Sequence, residues 1–113
     1  MAKVTIYHNP RCTKSRQTLS LLRDNGVEPD VVEYLKTPPS ESTLAGLLKK
    51  LGMQPVELIR KKEYRALQLP DTDDVRELIA QMVLHPEIIE RPIVVCGSKA
   101  VLGRPPENAL ELL

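Results

Sequence analysis

The first third of the chain constrains the fold most, because it predicts a strand, a helix and a second strand in succession. Residues 3–7 alternate and are rich in β-branched side chains, which is typical of a strand. Leu19 and Leu22 lie on one face of a helix, and Gly26 is suited to end it. Residues 30–35 form the second strand pattern. Strands joined through a helix run parallel, so we expect a βαβ unit.

The middle of the chain, roughly residues 40–86, shows helical patterns and no strand pattern. Ser40 or Ser42 can cap the first of these helices, and Pro55 begins a short second one. The pattern is irregular over residues 64–69. The clearest helix then follows an acidic start, with apolar residues at helical spacing: Val75, Leu78, Ile79, Met82 and Val83. Because no flexible linker flanks it, we interpret this segment as an insertion rather than a separate domain.

The last part of the chain predicts a β-hairpin and a final helix. A strand over residues 93–96 follows Pro92, and a two-residue Gly97-Ser98 turn leads to a return strand over residues 99–102. A last helix begins near Pro106. The predicted fold class is α/β, with a four-stranded mixed sheet and helices on both faces. This is the thioredoxin arrangement, with an all-helical insertion between a βαβ half and a ββα half, and we expect residues 1–113 to form one domain.

Composition excludes several classes of function. The chain has 16 basic and 15 acidic residues, and its aromatic residues are three Tyr with no Phe or Trp. We therefore expect no nucleic-acid partner, because neither a general positive field nor base-stacking platforms are available. No apolar run is long enough for a membrane span, and no signal peptide follows Met1, so the expected location is the cytoplasm.

Metal and cofactor sites are not predicted either. The two cysteines, Cys12 and Cys96, and the two histidines, His8 and His85, do not group at zinc-ligand spacing. Two cysteines are also too few for the disulfide framework of a small secreted protein.

Cys12 is the candidate reactive residue, because it lies at the predicted junction between a strand and a helix. The unpaired N–H groups and the dipole of a helix N-terminus lower the pKa of a thiol there and can also bind an oxyanion. The alternative is an inert buried cysteine. The basic neighbours Arg11, Lys14 and Arg16, with His8 upstream, favour the reactive interpretation.

Three further arginines, Arg60, Arg91 and Arg104, lie at predicted boundaries between elements, where functional residues concentrate. Each carries a planar fork of donors suited to oxyanions. Taken singly, each is an ordinary surface residue. Arg91 and Arg104 also stand directly before prolines, which fix the local backbone.

Four motifs together resemble one known family. Residues 7–12 with Ser15-Arg16 look like the reactive loop of the glutaredoxin-coupled arsenate reductases, the ArsC-like proteins. Residues 58–61, residues 90–95 and residues 103–105 are similar to three further motifs of that family. The spacing agrees along essentially the whole chain, and the likeness is greatest to the short members of the family.

The resemblance implies an oxidoreductase of arsenic detoxification. Arsenate would bind at the helix start after Cys12, and the Cys12 thiolate would attack arsenic to give a covalent adduct. Arg60, Arg91 and Arg104 match the oxyanion-binding arginines of the family. Glutathione, as co-substrate, would form a mixed thiol adduct that glutaredoxin resolves, with release of arsenite.

Other residues of the loop also take roles from the resemblance. His8 and Ser15 match positions that keep the cysteine ionised. Thr13 and Lys14 stand where better-studied members have Gly-Thr, so they would line the substrate mouth and alter substrate binding. Because Ser15 replaces the second cysteine of a dithiol motif, we expect an external thiol to resolve the intermediate.

Three other functions have sequence features that can be compared with this chain. Regulators of the Spx type, which bind RNA polymerase, resemble this fold, but those with a redox switch use a Cys-x-x-Cys motif that Ser15 removes. A monothiol oxidoreductase acting on glutathione adducts remains open. Low-molecular-weight phosphatases need an arginine six positions after the cysteine, where this chain has Thr18.

Overall fold

The computed structural model describes residues 3–113, so the first two residues of the predicted domain lie outside the described part. The strands in that part are β1 (Val4–His8), β2 (Asp30–Glu33), β3 (Ile93–Cys96) and β4 (Lys99–Leu102). The α-helices are α1 (Thr13–Asp24), α2 (Glu41–Leu51), α3 (Pro55–Leu58), α4 (Lys61–Ala66) and α5 (Val75–Leu84). Short 3-10 helices cover Pro86–Ile88 and Pro106–Leu112.

The four strands form one mixed sheet in the order β2-β1-β3-β4. β1 and β2 are parallel, as predicted from the βαβ pattern, and β3 is antiparallel to both β1 and β4. Ile93 pairs with Tyr7 on one side and with Leu102 on the other. The end of β1, the start of β3 and the end of β4 therefore meet at one edge of the sheet, and the segments that carry Cys12, Arg91 and Arg104 extend from that edge.

Local capping explains where the helices begin and end. Cys12 is the N-cap residue of α1, and Gly26 adopts a positive φ of 79° just beyond the end of that helix. Ser40, rather than Ser42, caps α2, because its hydroxyl accepts the Thr43 N–H at 3.1 Å. Asp74 caps α5 in the same way through the Glu77 N–H at 3.0 Å. The predicted helix starts at Cys12 and at the acidic run before α5 are thus confirmed.

The structure corrects three sequence-based expectations. The irregular stretch at residues 64–69 begins as part of α4, a helix that buries none of its residues and so has no apolar period to detect. β2 ends at Glu33, because Lys36 N–H bonds back to the Glu33 carbonyl and turns the chain. The last helix is of the 3-10 type, closed at its end by a bond from Leu113 N–H to the Leu110 carbonyl.

The core lies on both faces of the sheet and is almost wholly aliphatic. Ile93 belongs to the larger cluster, with the helices of the insertion, while the adjacent Val94 faces the smaller cluster beneath α1 and the C-terminal helix. This alternation in β3 confirms the prediction of helices on both faces. Within residues 3–113, no helix is both long and apolar enough to cross a membrane.

Gly103 joins the C-terminal segment to α1 and to the start of β3. Its N–H donates to the Pro92 carbonyl at 3.0 Å, and its own carbonyl accepts the Thr18 hydroxyl at 3.3 Å. A Cβ atom at Gly103 would lie 2.5 Å from Thr18 Oγ1 and 2.8 Å from Pro92 Cγ. The packing leaves no room for a side chain at this position.

We therefore expect Gly103→Ala to lower the free energy of unfolding by about 1–3 kcal/mol, the usual cost of overpacking. The measurement is urea denaturation followed by circular dichroism. Gly46→Ala is the matched control, because Gly46 lies inside α2 with nothing within 4 Å of its Cβ position. It should stabilise the protein by up to about 1 kcal/mol through helix propensity. Equal stabilities of the two variants would contradict the packing role.

Candidate active site

Cys12 occupies the tight connection between β1 and α1. Its backbone is extended, with φ −92° and ψ 122°, and its N–H donates to the Asn9 carbonyl at 3.0 Å. The Cys12 carbonyl accepts the Arg16 N–H, which is the first hydrogen bond of the helix. The sulfur is therefore held at the positive end of α1 and is partly exposed.

The pKa of Cys12 lies below its ordinary value. Burial alone would raise that pKa, but the Ser15 N–H, the Arg91 guanidinium and the Lys14 N–H together outweigh burial. The sulfur makes no cap hydrogen bond of full geometry, so the N–H groups act on it through their proximity. The predicted low-pKa thiol has a clear physical origin in this arrangement.

A buried polar cluster supports the loop from below. His8 Nδ1 and Ser15 Oγ are joined by a hydrogen bond of 2.6 Å, and the Asn9 N–H donates to the same Ser15 oxygen at 3.0 Å. The pKa of His8 is lowered, chiefly because the ring is buried, so the neutral ring is favoured. These bonds of His8 and Ser15 support the shape of the loop. The role that the resemblance implies for the two residues, keeping Cys12 ionised, would therefore not come from a positive charge at His8.

The basic residues next to Cys12 in sequence point into solvent. Arg11, Lys14 and Arg16 are all exposed. Arg16 folds back over the loop, where it donates to the Pro10 carbonyl at 2.9 Å and to Thr13 Oγ1 at 3.2 Å. The cation that lowers the pKa of Cys12 is Arg91 instead, from a remote part of the chain.

The three predicted oxyanion-binding arginines converge and are joined through two glutamates. Glu63 Oε2 accepts a hydrogen bond from Arg60 Nε and lies 3.6 Å from Arg91 Nη1. Glu90 Oε2 lies 3.9 Å from Arg60 Nη1 and 3.8 Å from Arg104 Nε. The five side chains thus alternate in charge, in the order Arg91, Glu63, Arg60, Glu90, Arg104, and we call them the arginine–glutamate chain.

The two glutamates were not among the predicted site residues. Glu63 is three residues after Arg60 on the first turn of α4, a spacing that allows an ion pair. That spacing could have suggested the first contact. Nothing in the sequence indicates that Glu90 lies between Arg60 and Arg104.

Backbone bonds fix the position of Arg60 relative to the start of β3. The Arg60 N–H donates to the Ile88 carbonyl at 2.7 Å, and the Glu90 N–H donates to the Leu58 carbonyl at 2.8 Å. Ile59 and Ile89 form an isolated antiparallel bridge between them. The helical insertion therefore delivers Arg60 to the same edge of the sheet as Arg91.

Two buried polar atoms beside the loop lack a hydrogen-bond partner among the described residues: the Tyr34 hydroxyl and Arg91 Nε. Burial raises the pKa of Tyr34 to about 12, while the Arg91 charge and the Asn9 side chain oppose that rise. Unpaired buried donors cost free energy and tend to mark functional regions. Both atoms lie where the loop after β1 meets Arg91.

The second cysteine is at the opposite end of the sheet. Cys96 pairs with Val4 at the start of β1, whereas Cys12 follows His8 at its end. Val4 and His8 are four strand positions apart, about 13 Å along the strand, well beyond the reach of a disulfide. Cys96 also packs against the smaller core cluster, which fits the inert role expected for it.

A separate groove of about 460 Å³ borders the helical insertion, but none of the predicted site residues lines it. Its walls include Val56, Tyr64 and Arg65. Among residues 3–113, no three His, Cys, Asp or Glu side chains group as a metal site. The candidate site is formed by Cys12 and the arginine–glutamate chain.

Replacing Arg91 tests the origin of the lowered thiol pKa. In Arg91→Gln the thiolate loses the guanidinium charge that lowers its pKa, so the pKa of Cys12 should rise by about one pH unit. Less thiolate is then present at neutral pH, and the alkylation rate should fall. The measurement is the pH dependence of thiolate ultraviolet absorbance. Arg11→Gln is the control, because Arg11 is exposed and adjacent to Cys12 in sequence. If both substitutions raised the pKa of Cys12 equally, the lowered pKa would result from the net positive charge of the region and not from Arg91.

Comparison with known proteins gives consistent matches. The model of the ArsC family matches residues 7–112. The uncharacterized protein YfgD of Escherichia coli (strain K12) is 56% identical, over 98% of this chain and 97% of its own length. An arsenate reductase of Haemophilus influenzae is 45% identical, over 97% of this chain and 98% of its own. The solved arsenate reductase from Vibrio cholerae superposes with a TM-score of 0.92 at 47% identity, covering 99% and 98% of the two chains.

These matches extend over nearly the whole described chain and include every segment that carries a predicted site residue. The structural likeness also confirms the predicted thioredoxin-like α/β fold with its mixed four-stranded sheet. The chain belongs to the ArsC family.

Proposed function

We propose that this protein reduces arsenate to arsenite, with Cys12 as nucleophile and with glutathione and glutaredoxin as the reducing partners. The observation that carries the proposal is the convergence of a low-pKa thiol with three arginines at one edge of the sheet. Relatives that share the whole length of the chain are named arsenate reductases, which supports the same substrate.

The proposed reaction begins when arsenate enters beside the N-terminus of α1. The Cys12 thiolate forms an S–As bond, and one arsenic oxygen leaves as water after taking up protons. Guanidinium groups of Arg60, Arg91 and Arg104 hold the remaining oxygens and stabilise their charge in the transition state. Thr13 and Lys14, which are exposed at the first turn of α1, border the entrance.

Reduction needs two electrons, which we assign to external thiols. A glutathione thiol replaces a second arsenic oxygen as water. The glutaredoxin thiolate then attacks the glutathione sulfur, forming a mixed disulfide and leaving the electron pair on arsenic, which becomes As(III). Water finally displaces Cys12 and releases arsenite. The separation of Cys96 from Cys12 and the serine at position 15 support an external rather than an internal resolving thiol.

This cycle fits the cytoplasm, where glutathione keeps thiols reduced. The protein itself needs no bound cofactor in this scheme, since all electrons come from the thiol co-substrates.

The direct test is arsenate-dependent NADPH oxidation with glutathione, glutaredoxin and glutathione reductase present. Cys12→Ser should remove turnover entirely while leaving the fold intact, because a hydroxyl at neutral pH is a far weaker nucleophile than a thiolate. Cys96→Ser is the matched control and should retain wild-type turnover. Residual activity in Cys12→Ser would reject the nucleophile, and a dead Cys96→Ser enzyme would reveal an internal thiol relay.

The arginine roles have their own test. Arg60→Ala or Arg104→Ala should lower kcat/KM for arsenate by about 10²–10³-fold, the usual loss when one preorganised oxyanion donor is removed. Arg65→Ala, an exposed arginine on α4, serves as the control and should leave kcat/KM unchanged. Wild-type kinetics in Arg60→Ala and Arg104→Ala would exclude these two residues from the oxyanion site.

A further inference from the structure

The arginine–glutamate chain contains two carboxylates where an oxyanion site needs only cations. Glu63 and Glu90 offset two of the three guanidinium charges, so the five side chains carry a net single positive charge. The glutamate side chains are 27% and 24% exposed, so water screens their charges only in part. Glu63 remains ionised, because its contacts with Arg60 overcome burial and lower its pKa.

Both carboxylates engage donors that an incoming oxyanion would use. Glu63 bridges Arg60 Nε and Arg91 Nη1, and Glu90 bridges Arg60 Nη1 and Arg104 Nε. The contacts of Glu90, at 3.8 and 3.9 Å, are longer than full charge-assisted hydrogen bonds, so they break at little cost. A dianion that binds the same guanidinium groups is repelled by these carboxylates or has to displace them.

Phosphate presents the selectivity problem that such an arrangement solves. Phosphate and arsenate have the same shape and charge, so contacts to arginine bind them almost equally. Contacts that bind two ligands equally strongly cannot make a site select one of them, whereas formation of a bond between sulfur and arsenic can. If the site has a weak non-covalent affinity, phosphate seldom occupies it. Arsenate is still captured, because it alone forms a covalent bond with the sulfur.

We propose that Glu63 and Glu90 are specificity-determining residues that compete for the arginines and keep the non-covalent affinity for inorganic phosphate low. This inference rests on the proposed function in taking the three arginines as the oxyanion site. The two glutamates belong to different segments, α4 and the lead-in to β3, so each can be changed independently.

The experiment is isothermal calorimetry of inorganic phosphate with the reduced protein at fixed ionic strength. Glu63→Gln and Glu90→Gln keep an oxygen acceptor of the same length and remove the charge. Each should bind phosphate about tenfold more tightly than the wild type, and the double variant more tightly still. Glu111→Gln, an exposed glutamate on the C-terminal 3-10 helix, is the control and should bind as the wild type does.

Unchanged or weaker phosphate binding in both single variants would overturn the inference, because it would mean that the glutamates assemble the arginines instead of competing for them. Circular dichroism checks that each variant is folded. Where a glutamine variant does not melt cooperatively, Glu63→Ala and Glu90→Ala carry the same prediction. The readout needs no arsenate turnover. Tighter phosphate binding in a protein without reductase activity would reject the proposed function alone, and active enzyme with unchanged phosphate affinity would reject this inference alone.

Discussion

The proximity of the Cys12 sulfur to the Arg91 guanidinium is the interaction on which the site depends. Burial by itself would raise the pKa of Cys12, and the helix N-terminus supplies only part of the opposing effect. Arg91 supplies a full charge, and the register of the sheet brings it there: Tyr7 pairs with Ile93, so the segment before β3 meets the segment after β1. The lowered pKa of Cys12 thus depends on strand pairing as well as on the loop that carries the cysteine.

The cations of the site lie on three segments that are distant in sequence, and unpaired they would repel one another. The two glutamates separate them, so the positive charges do not face each other directly. Each guanidinium group is thereby held beside a carboxylate. An oxyanion bound by these arginines, as we propose, would have to compete with the carboxylates for the same guanidinium groups.

Much of the fold was predictable because its elements carry strong local patterns. The βαβ unit, the hairpin at Gly97 and the helix after Asp74 each have a period or a turn residue that identifies them. The helix α4 was missed because it buries no residue and therefore has no apolar face. Without a periodic spacing of apolar residues, the helix propensity of the individual residues does not distinguish such a helix from an irregular loop.

Motifs in the sequence indicate the residues of the candidate site, but they do not indicate the contacts between those residues. Cys12 and the three arginines were identified from motifs, whereas Glu63 and Glu90 acquire their meaning only from neighbours in space. The basic residues beside Cys12 illustrate the same limit. Proximity in sequence suggested that Arg11 and Arg16 act on the sulfur, yet both are exposed, and Arg16 donates instead to the Pro10 carbonyl and to Thr13. Side-chain direction depends on the loop geometry, which sequence alone does not give.

The isolated bridge between Ile59 and Ile89 has a consequence for how this protein can evolve. The two hydrogen bonds that flank it use only backbone atoms, so they survive almost any change of side chain except to proline at Arg60 or Glu90. The exposed surface of α4 can therefore diverge freely among descendants of this chain while Arg60 stays in place. The outer surface of the helical insertion, and the contacts that this surface makes, can therefore change in evolution without moving Arg60.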